Sequence, residues 1–403
     1  MNRDRSGSTS LLVQLCAGYF ASYTLTGILV KYFTVIREPK LSDMAYLFNN
    51  TLGGSAFALL VVFLFRWFRF QSNRTVAWGP FRVPSEAAYI IPSGVCTAIV
   101  IPTTTLMYSL PISVMVAMVI MRGSIIVISR LVDQVQIGQG ILKKRVYHEE
   151  NVAVGFALLA VATNVLLIPL VDFLEARGVH AAPIFGLKAG AGHGSFDFLH
   201  SAAAMTILTL YIIAYAFRLY IMNYYKNTRA KGVELDNKGF FAIEQFAASI
   251  TMVLLTTFFF LSPGLFGWSI KQLDQFHDAA AHPQMITILS GVPYGIVAFF
   301  SVFIFMFKGR TATFAGLVNR LTSLLAGTAA TLLLAFFFHS RFPDKIKYPT
   351  AQDWISALFI LVAVYFLTRA EKRRVAELGI AQGAESTTQP LSAGVPAGAV
   401  PRR

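Results

Sequence analysis

The chain has 403 residues, of which 55% are hydrophobic and only 13% charged, well below the roughly 25% charged share of ordinary soluble domains. Its apolar residues come in blocks of about 20 rather than in short alternating runs, which excludes a water-soluble fold and makes lipid the solvent for most of the surface. The formal net charge of +14 does not point to nucleic acid, because the basic residues sit in short loops between apolar blocks, not on a patch interleaved with aromatic platforms.

In chain order, Met1 to Ser10 is polar and carries Arg3 and Arg5. The apolar run that starts at Leu11 has no small-residue cleavage site and reads as a retained first helix. Ten spans can be drawn, at roughly 11–33, 46–68, 86–108, 110–132, 151–172, 200–222, 240–262, 284–306, 312–338 and 352–369. Leu110-Pro111 and Lys308-Gly309-Arg310 separate two of the pairs so tightly that each reads as a helical hairpin. Residues 173–199 form a Gly- and Ala-rich external loop, and 373–403 a disordered cytoplasmic tail rich in Pro, Gly, Ser and Thr. Cys16 and Cys96 fall inside apolar blocks and read as packing residues. His180, His193, His277 and His282 lack the tight spacing of a metal site, and neither a metal nor a cofactor is called for.

Basic residues near span ends stay on the cytoplasmic side. One set of alternate loops holds nineteen Lys and Arg, among them Arg66, Arg69, Lys143, Lys144, Arg145, Lys308 and Arg310; the other holds eight. An even number of spans with both termini cytoplasmic is the arrangement that agrees.

The two halves of the chain resemble each other. Ser93-Gly94-Val95 and Ile99-Val100 in the third span recur 197 residues later as Ser290-Gly291-Val292 and Ile296-Val297 in the eighth. Arg122, in Met121-Arg122-Gly123-Ser124 of the fourth span, aligns at 198 with Arg320, in Asn319-Arg320-Leu321-Thr322-Ser323 of the ninth. Phe48-Asn49-Asn50 aligns at 195 with Ile243-Glu244-Gln245. A repeat of five helices, an odd number, makes the second copy enter the membrane from the opposite face. The expected fold is therefore an all-α integral membrane protein of ten transmembrane helices in two inverted five-helix repeats, residues 11–172 and 200–372. Such halves exchange conformations so that one central site opens to each side in turn.

Arg122 and Arg320 are the sharpest site candidates, on the order of 18 Å in from the outer face and 12 Å in from the inner face. A guanidinium facing lipid there costs about 2.5–3.5 kcal/mol, so each must face a polar cavity or a partner. Read as a pair, they suit an anionic substrate; read singly, each is a structural staple on carbonyls or a carboxylate. Asn49 and Asn50, and Glu244 and Gln245, lie near opposite ends of the bundle as gates, substrate contacts or caps, and Glu244 is also a candidate proton site. Tyr108 and Tyr294 are candidate ligand contacts or packing rings. Pro102, Pro111 and Pro293, with Gly53, Gly54, Gly94 and Gly291, allow kinks and close helix contact.

At Thr311-Ala312-Thr313 and Ala315-Gly316-Leu317-Val318-Asn319-Arg320 the chain resembles the drug/metabolite transporter superfamily, and especially the ninth-helix Gly-Ala-Leu-Asn-Lys motif of its nucleotide-sugar transporter branch, with Arg in place of Lys. Met121-Arg122-Gly123-Ser124 is similar to an Arg-Gly-Ser signature of related solute carriers. The branch's seventh-helix Phe-Tyr-Asn-Asn motif is replaced by Ala242-Ile243-Glu244-Gln245, and a similar Leu47-Phe48-Asn49-Asn50 stands in the second span. The resemblance implies a ten-helix carrier, often an exchanger, whose Asn319 and Arg320 contact substrate, with Arg122, Ser124 and Ser323 in the matching segments. The expected function is transport of a small, anionic, nucleotide-sugar-like metabolite, not catalysis. Export of uncharged or cationic metabolites or drugs, and a channel or structural membrane subunit, are the alternatives. Expected partners are the small-molecule substrate and the lipid bilayer, bacterial inner or eukaryotic internal, with a homodimer left open.

Overall fold

The computed structural model describes residues 9–79, 81–142, 147–180, 198, 200–230, 232–268, 270–305, 312–343 and 345–388. Lys143 to Arg145, Lys308 and Arg310, His193, most of the loop predicted at 173–199 and the tail beyond residue 388 lie outside them.

The described chain is helical apart from one short hairpin. Helix α1 (Thr9–Lys31) ends in a π-helical turn, Tyr32–Ile36, closed by the Arg37 amide donating to the Tyr32 carbonyl at 2.8 Å. Helix α2 (Asp43–Leu64) starts where the Ser42 hydroxyl accepts the Ala45 amide. A two-stranded antiparallel hairpin, β1 (Thr75–Trp78) and β2 (Phe81–Pro84), precedes α3 (Ala87–Ser109). Pro102 within α3 has no amide to give the preceding turn, and Thr103, Thr104 and Thr105 donate their hydroxyls to carbonyls there instead. Pro111 breaks the chain as expected, and Ser113 caps α4 (Val114–Gly138) through the Val116 amide.

The fifth predicted span, 151–172, is two helices. They are α5 (His148–Val165) and α6 (Leu167–Ala176), joined at Leu166. Pro169 lacks the N–H that would bond the Val165 carbonyl, and the helix stops at that residue. The eighth predicted span breaks for the same reason. After α7 (Ala202–Asn227), α8 (Asn237–Phe266) and the short amphipathic α9 (Lys271–Ala281), α10 (Met285–Leu289) ends at the carbonyl that Pro293 cannot bond, and α11 (Val292–Phe305) begins. Helices α12 (Ala312–Phe338) and α13 (Ala351–Thr388) complete the chain, with α13 running past the predicted span.

Nine helices among the described residues are long and apolar enough to cross a membrane. The bundle turns large apolar side chains outward, Leu64 at 71% and Phe336 at 72% exposure among them, while Arg122, Glu244 and Arg320 are inside. That is the reverse of a soluble surface and fits a multi-pass protein in lipid.

Helix α1 packs on α11 and α12, and α7 packs on α3 and α4. Helix α2 packs on α11, and α8 on α3. Helices α4 and α12 cross antiparallel at the centre: the Met115 amide donates to Thr331 at 2.9 Å, Gly327 lies against Met118, and Arg122 approaches Arg320. Helix α5 packs along α13 at one side.

Candidate functional site

Two pairs of tyrosines enter the middle of the bundle. Tyr19 and Tyr23 on α1, and Tyr211 and Tyr215 on α7, are each spaced i, i+4, which places both rings of a pair on one helix face. The ring centroids are 5.1 Å apart in the first pair and 5.4 Å in the second. With Thr97 and Thr104 of α3, Tyr294 and Ser301 of α11, Arg122 of α4 and Arg218 of α7, they line a chamber of about 50 Å³. That volume holds a water or two, not a metabolite.

Arg122 is 4% exposed. Its Nη2 donates to the Tyr23 hydroxyl at 2.7 Å, and the guanidinium carbon lies 5.3 Å from the Tyr23 ring centroid. Its Nε is buried without a hydrogen-bond partner. Arg320, 6% exposed, sits behind the chamber wall within electrostatic reach of Arg122, Tyr211, Tyr215 and Asp133, and its Nε is also unpartnered. Among the described residues, neither guanidinium has a carboxylate within ion-pair distance. Burying two guanidiniums within electrostatic reach of each other, with neither in an ion pair among the described residues, is unfavourable, and an anion in the chamber would relieve it.

Arg218 is different. Its Nε and Nη2 donate to the two carboxylate oxygens of Glu244 at 2.8 and 2.9 Å, a forked pair. Ser93 and Thr97 donate to Glu244 as well, at 2.7 and 3.1 Å. Glu244 is fully buried and one hydrogen bond removed from the chamber, through either Arg218 or Thr97.

The other residues singled out in the sequence spread around this centre. Asn319 accepts from Tyr19 and donates to Ser301, both at 3.4 Å, so it braces two chamber walls from behind. Ser323 donates to the Arg320 carbonyl and Ser124 to the Ile120 carbonyl, each within its own helix. Asn49 accepts the Gln284 amide at 2.8 Å and Asn50 donates to the Ser290 carbonyl at 3.2 Å, which ties α2 to both ends of α10, away from the chamber. Gln245 is buried with its Nε2 unpartnered. Tyr108 points its hydroxyl at the Met118 sulfur, and its ring stands 6.3 Å from Tyr23.

Sequence reasoning passed over Arg218 and the four tyrosines. Arg218 lies inside the sixth predicted span but only about 6 Å from its end, where a long side chain can still reach the interface, so depth alone does not single it out. The tyrosine pairs carry a further repeat signal, since 19 and 23 become 211 and 215 at an offset of 192.

No protein-family model matches the chain, and no curated protein matches it. Among solved structures, one described only as "Crystal structure of protein" is similar at 15% identity with a TM-score of 0.45, over 91% of this chain and 99% of that one. Likeness at that level carries no argument about function.

Proposed function

We propose that this protein is a secondary transporter that moves a small polar, anionic metabolite of nucleotide-sugar-like chemistry by alternating access, working as an exchanger. In this reading the α5–α6 segment is the tenth crossing, the two five-helix halves are inverted, and both termini are cytoplasmic. The observation that carries it is the pair Arg122 and Arg320: two buried guanidiniums, without carboxylate partners among the described residues, on the helices that cross at the centre. In an apolar bundle such charge is costly unless a ligand supplies the counter-ion, and a planar fork suits phosphate or carboxylate oxygens.

The packing scheme supports the inverted halves. Exchanging α1 with α7, α2 with α8, α3 with α11, α4 with α12 and α5 with α13 turns the most extensive packing pairs among these ten helices into others that the bundle also makes: α1 on α12 becomes α7 on α4, and α2 on α11 becomes α8 on α3, although α1 on α3 has no such counterpart. The α4–α12 and α5–α13 contacts map onto themselves, as contacts across a pseudo-twofold axis must. The axis then runs beside Arg122 and Arg320, and Tyr23 near Arg122 has its counterpart in Tyr215 near Arg320. A polar chamber lined by residues of both halves fits a carrier's central site.

The test is counterflow in proteoliposomes loaded with nucleotide sugars, nucleotides or small organic anions. Saturable, trans-stimulated uptake of an anion is expected. Absence of uptake for all of them, or uptake that grows linearly with concentration, overturns the reading.

A further inference from the structure

We infer that Glu244 is a proton-carrying group, so that each anion taken up through Arg218 travels with one proton. This rests on the carrier reading above. Arg218 faces two rivals. Its Nε and Nη2 hold Glu244 behind the wall, while its side chain also lines the chamber where an anion would sit beside Arg122. An anion that draws Arg218 into the chamber breaks the forked pair.

Glu244 is then left fully buried with only the hydroxyls of Ser93 and Thr97. Neutral hydroxyls do not compensate an isolated buried carboxylate, whereas they can accept as readily as they donate, so they serve the protonated acid. A proton from water on the open side binds one carboxylate oxygen as the guanidinium leaves. When the anion departs on the other side, Arg218 returns, the O–H bond breaks and the proton leaves to the same side. One anion and one proton move together, and no other bond changes.

The groups that face Glu244 do not offer a rival for this role. Helix α7 brings Arg218 and, beside it, Tyr215; α3 brings Ser93, Thr97 and Cys96; α11 brings Tyr294 within electrostatic reach of Arg218. Helix α2 meets α8 through Ser55 with Met252 and Phe63 with Phe246, and α9 meets its far end through Phe259 with Phe276 and Phe260 with His277. Beside Glu244 these elements place hydroxyls, a thiol, phenol rings and Arg218 rather than a second carboxylate. Nor does the scaffold require a carboxylate there. Where Gly94 abuts the Glu244 carbonyl, Gly291 abuts that of the amide Asn50 rather than Asn49, and Asn50 secures α2 to Ser290 as Glu244 secures α8 to Ser93.

The experiment uses purified protein in weakly buffered detergent solution, with uridine diphosphate glucose and inorganic sulfate as probes, since neither carries a group that titrates near neutral pH. A pH indicator reads proton uptake on binding, and calorimetry reads affinity. The wild type is expected to take up about one proton per anion bound, with affinity rising toward tenfold per unit fall in pH. Glu244→Gln is expected to bind the same probe with no proton uptake and a flat pH profile. Binding by the wild type without proton uptake overturns the coupling and leaves the carrier reading standing, a result that needs no variant to fold. Proton uptake that persists in Glu244→Gln also overturns it. Failure of both probes to bind, together with failure of the counterflow test, removes the carrier reading and the coupling with it.

Discussion

Gly94 and Gly291 make matching contacts with the backbones of α8 and α2. A Cβ at Gly94 would lie 2.6 Å from the Glu244 carbonyl oxygen and 3.0 Å from the Ala248 amide; one at Gly291 would strike the Asn50 carbonyl oxygen and lie 2.7 Å from the Gly54 amide. Each glycine therefore meets the carbonyl of one residue and the amide four residues on. Under the proposed repeat, this match pairs Asn50, not Asn49, with Glu244, at an offset of 194 in place of 195. Backbone cannot retreat as a flexible side chain can, so Gly94→Ala and Gly291→Ala should each lose about 1–3 kcal/mol. Gly264→Ala, with nothing within 4 Å, should be neutral or stabilising. Thermal unfolding in detergent of the three variants checks the contrast.

The Arg218–Glu244 pair gives a second stability test with an unusual sign. Arg218→Ala leaves a buried carboxylate without its cation and should cost about 3–5 kcal/mol. Replacing both residues with apolar ones of similar size, Arg218→Met with Glu244→Leu, removes the stranded charge along with its partner and should restore most of that loss. If the double variant unfolds as early as Arg218→Ala, the single variant's defect is lost packing rather than an uncompensated charge.

Much of the fold was legible because lipid imposes a length rule. The break at Leu110-Pro111, the ends of α12 and the close approach at Gly94 and Gly291 all follow from apolar block length, proline and small residues. The break at Ser290 falls at Pro293, one of the kink candidates, whereas hydropathy averages over the hydrogen bond that Pro169 removes and hides the interruption at Leu166. Helix α9 was hidden for another reason. It is held by ring contacts of Phe276 with Phe48 and Phe259, and those depend on where α2 and α8 stand. At the site, depth alone identified Arg122 and Arg320. What separates them from Arg218 is the carboxylate that Glu244 brings from another helix, and spacing along one chain does not encode that meeting.

A pH test bears on the loop between α2 and α3. Burial opposes ionisation of Glu86, but the Ser72 hydroxyl, the Asn73 amide and the Ser85 hydroxyl donate to its carboxylate and hold it below the usual range; Arg229 also pairs with it at 2.6 Å. A carboxyl lowered on folding stabilises the fold fully above its unfolded value of about 4.3, and that contribution fades as pH falls through the lower folded value. Melting temperature should therefore drop on acidification from about pH 5 to pH 3, and Glu86→Gln should flatten that part of the drop while lowering stability at neutral pH. An unchanged acid profile in the variant would remove Glu86 from the account.

The sharpest functional prediction concerns the two central arginines. If Arg122 and Arg320 await an anion, their loss removes binding without removing a native ion pair, so Arg122→Ala and Arg320→Ala should fold, reach the membrane and fail in counterflow. Tyr23→Phe removes only the hydroxyl that accepts from Arg122, a hydrogen bond to a charged group worth about 1.5–3 kcal/mol, and should weaken anion affinity through a misplaced guanidinium rather than a missing one. Arg122→Lys keeps the charge but loses the fork, and for a phosphate or carboxylate ligand it should fall between wild type and alanine. A structural staple predicts a loss of a different kind: the alanine variants would be lost from the membrane, and lysine would restore abundance along with activity. Quantifying surviving protein beside uptake, for all four variants in one preparation, separates the two, because an anion site lowers uptake per molecule while a staple lowers the number of molecules.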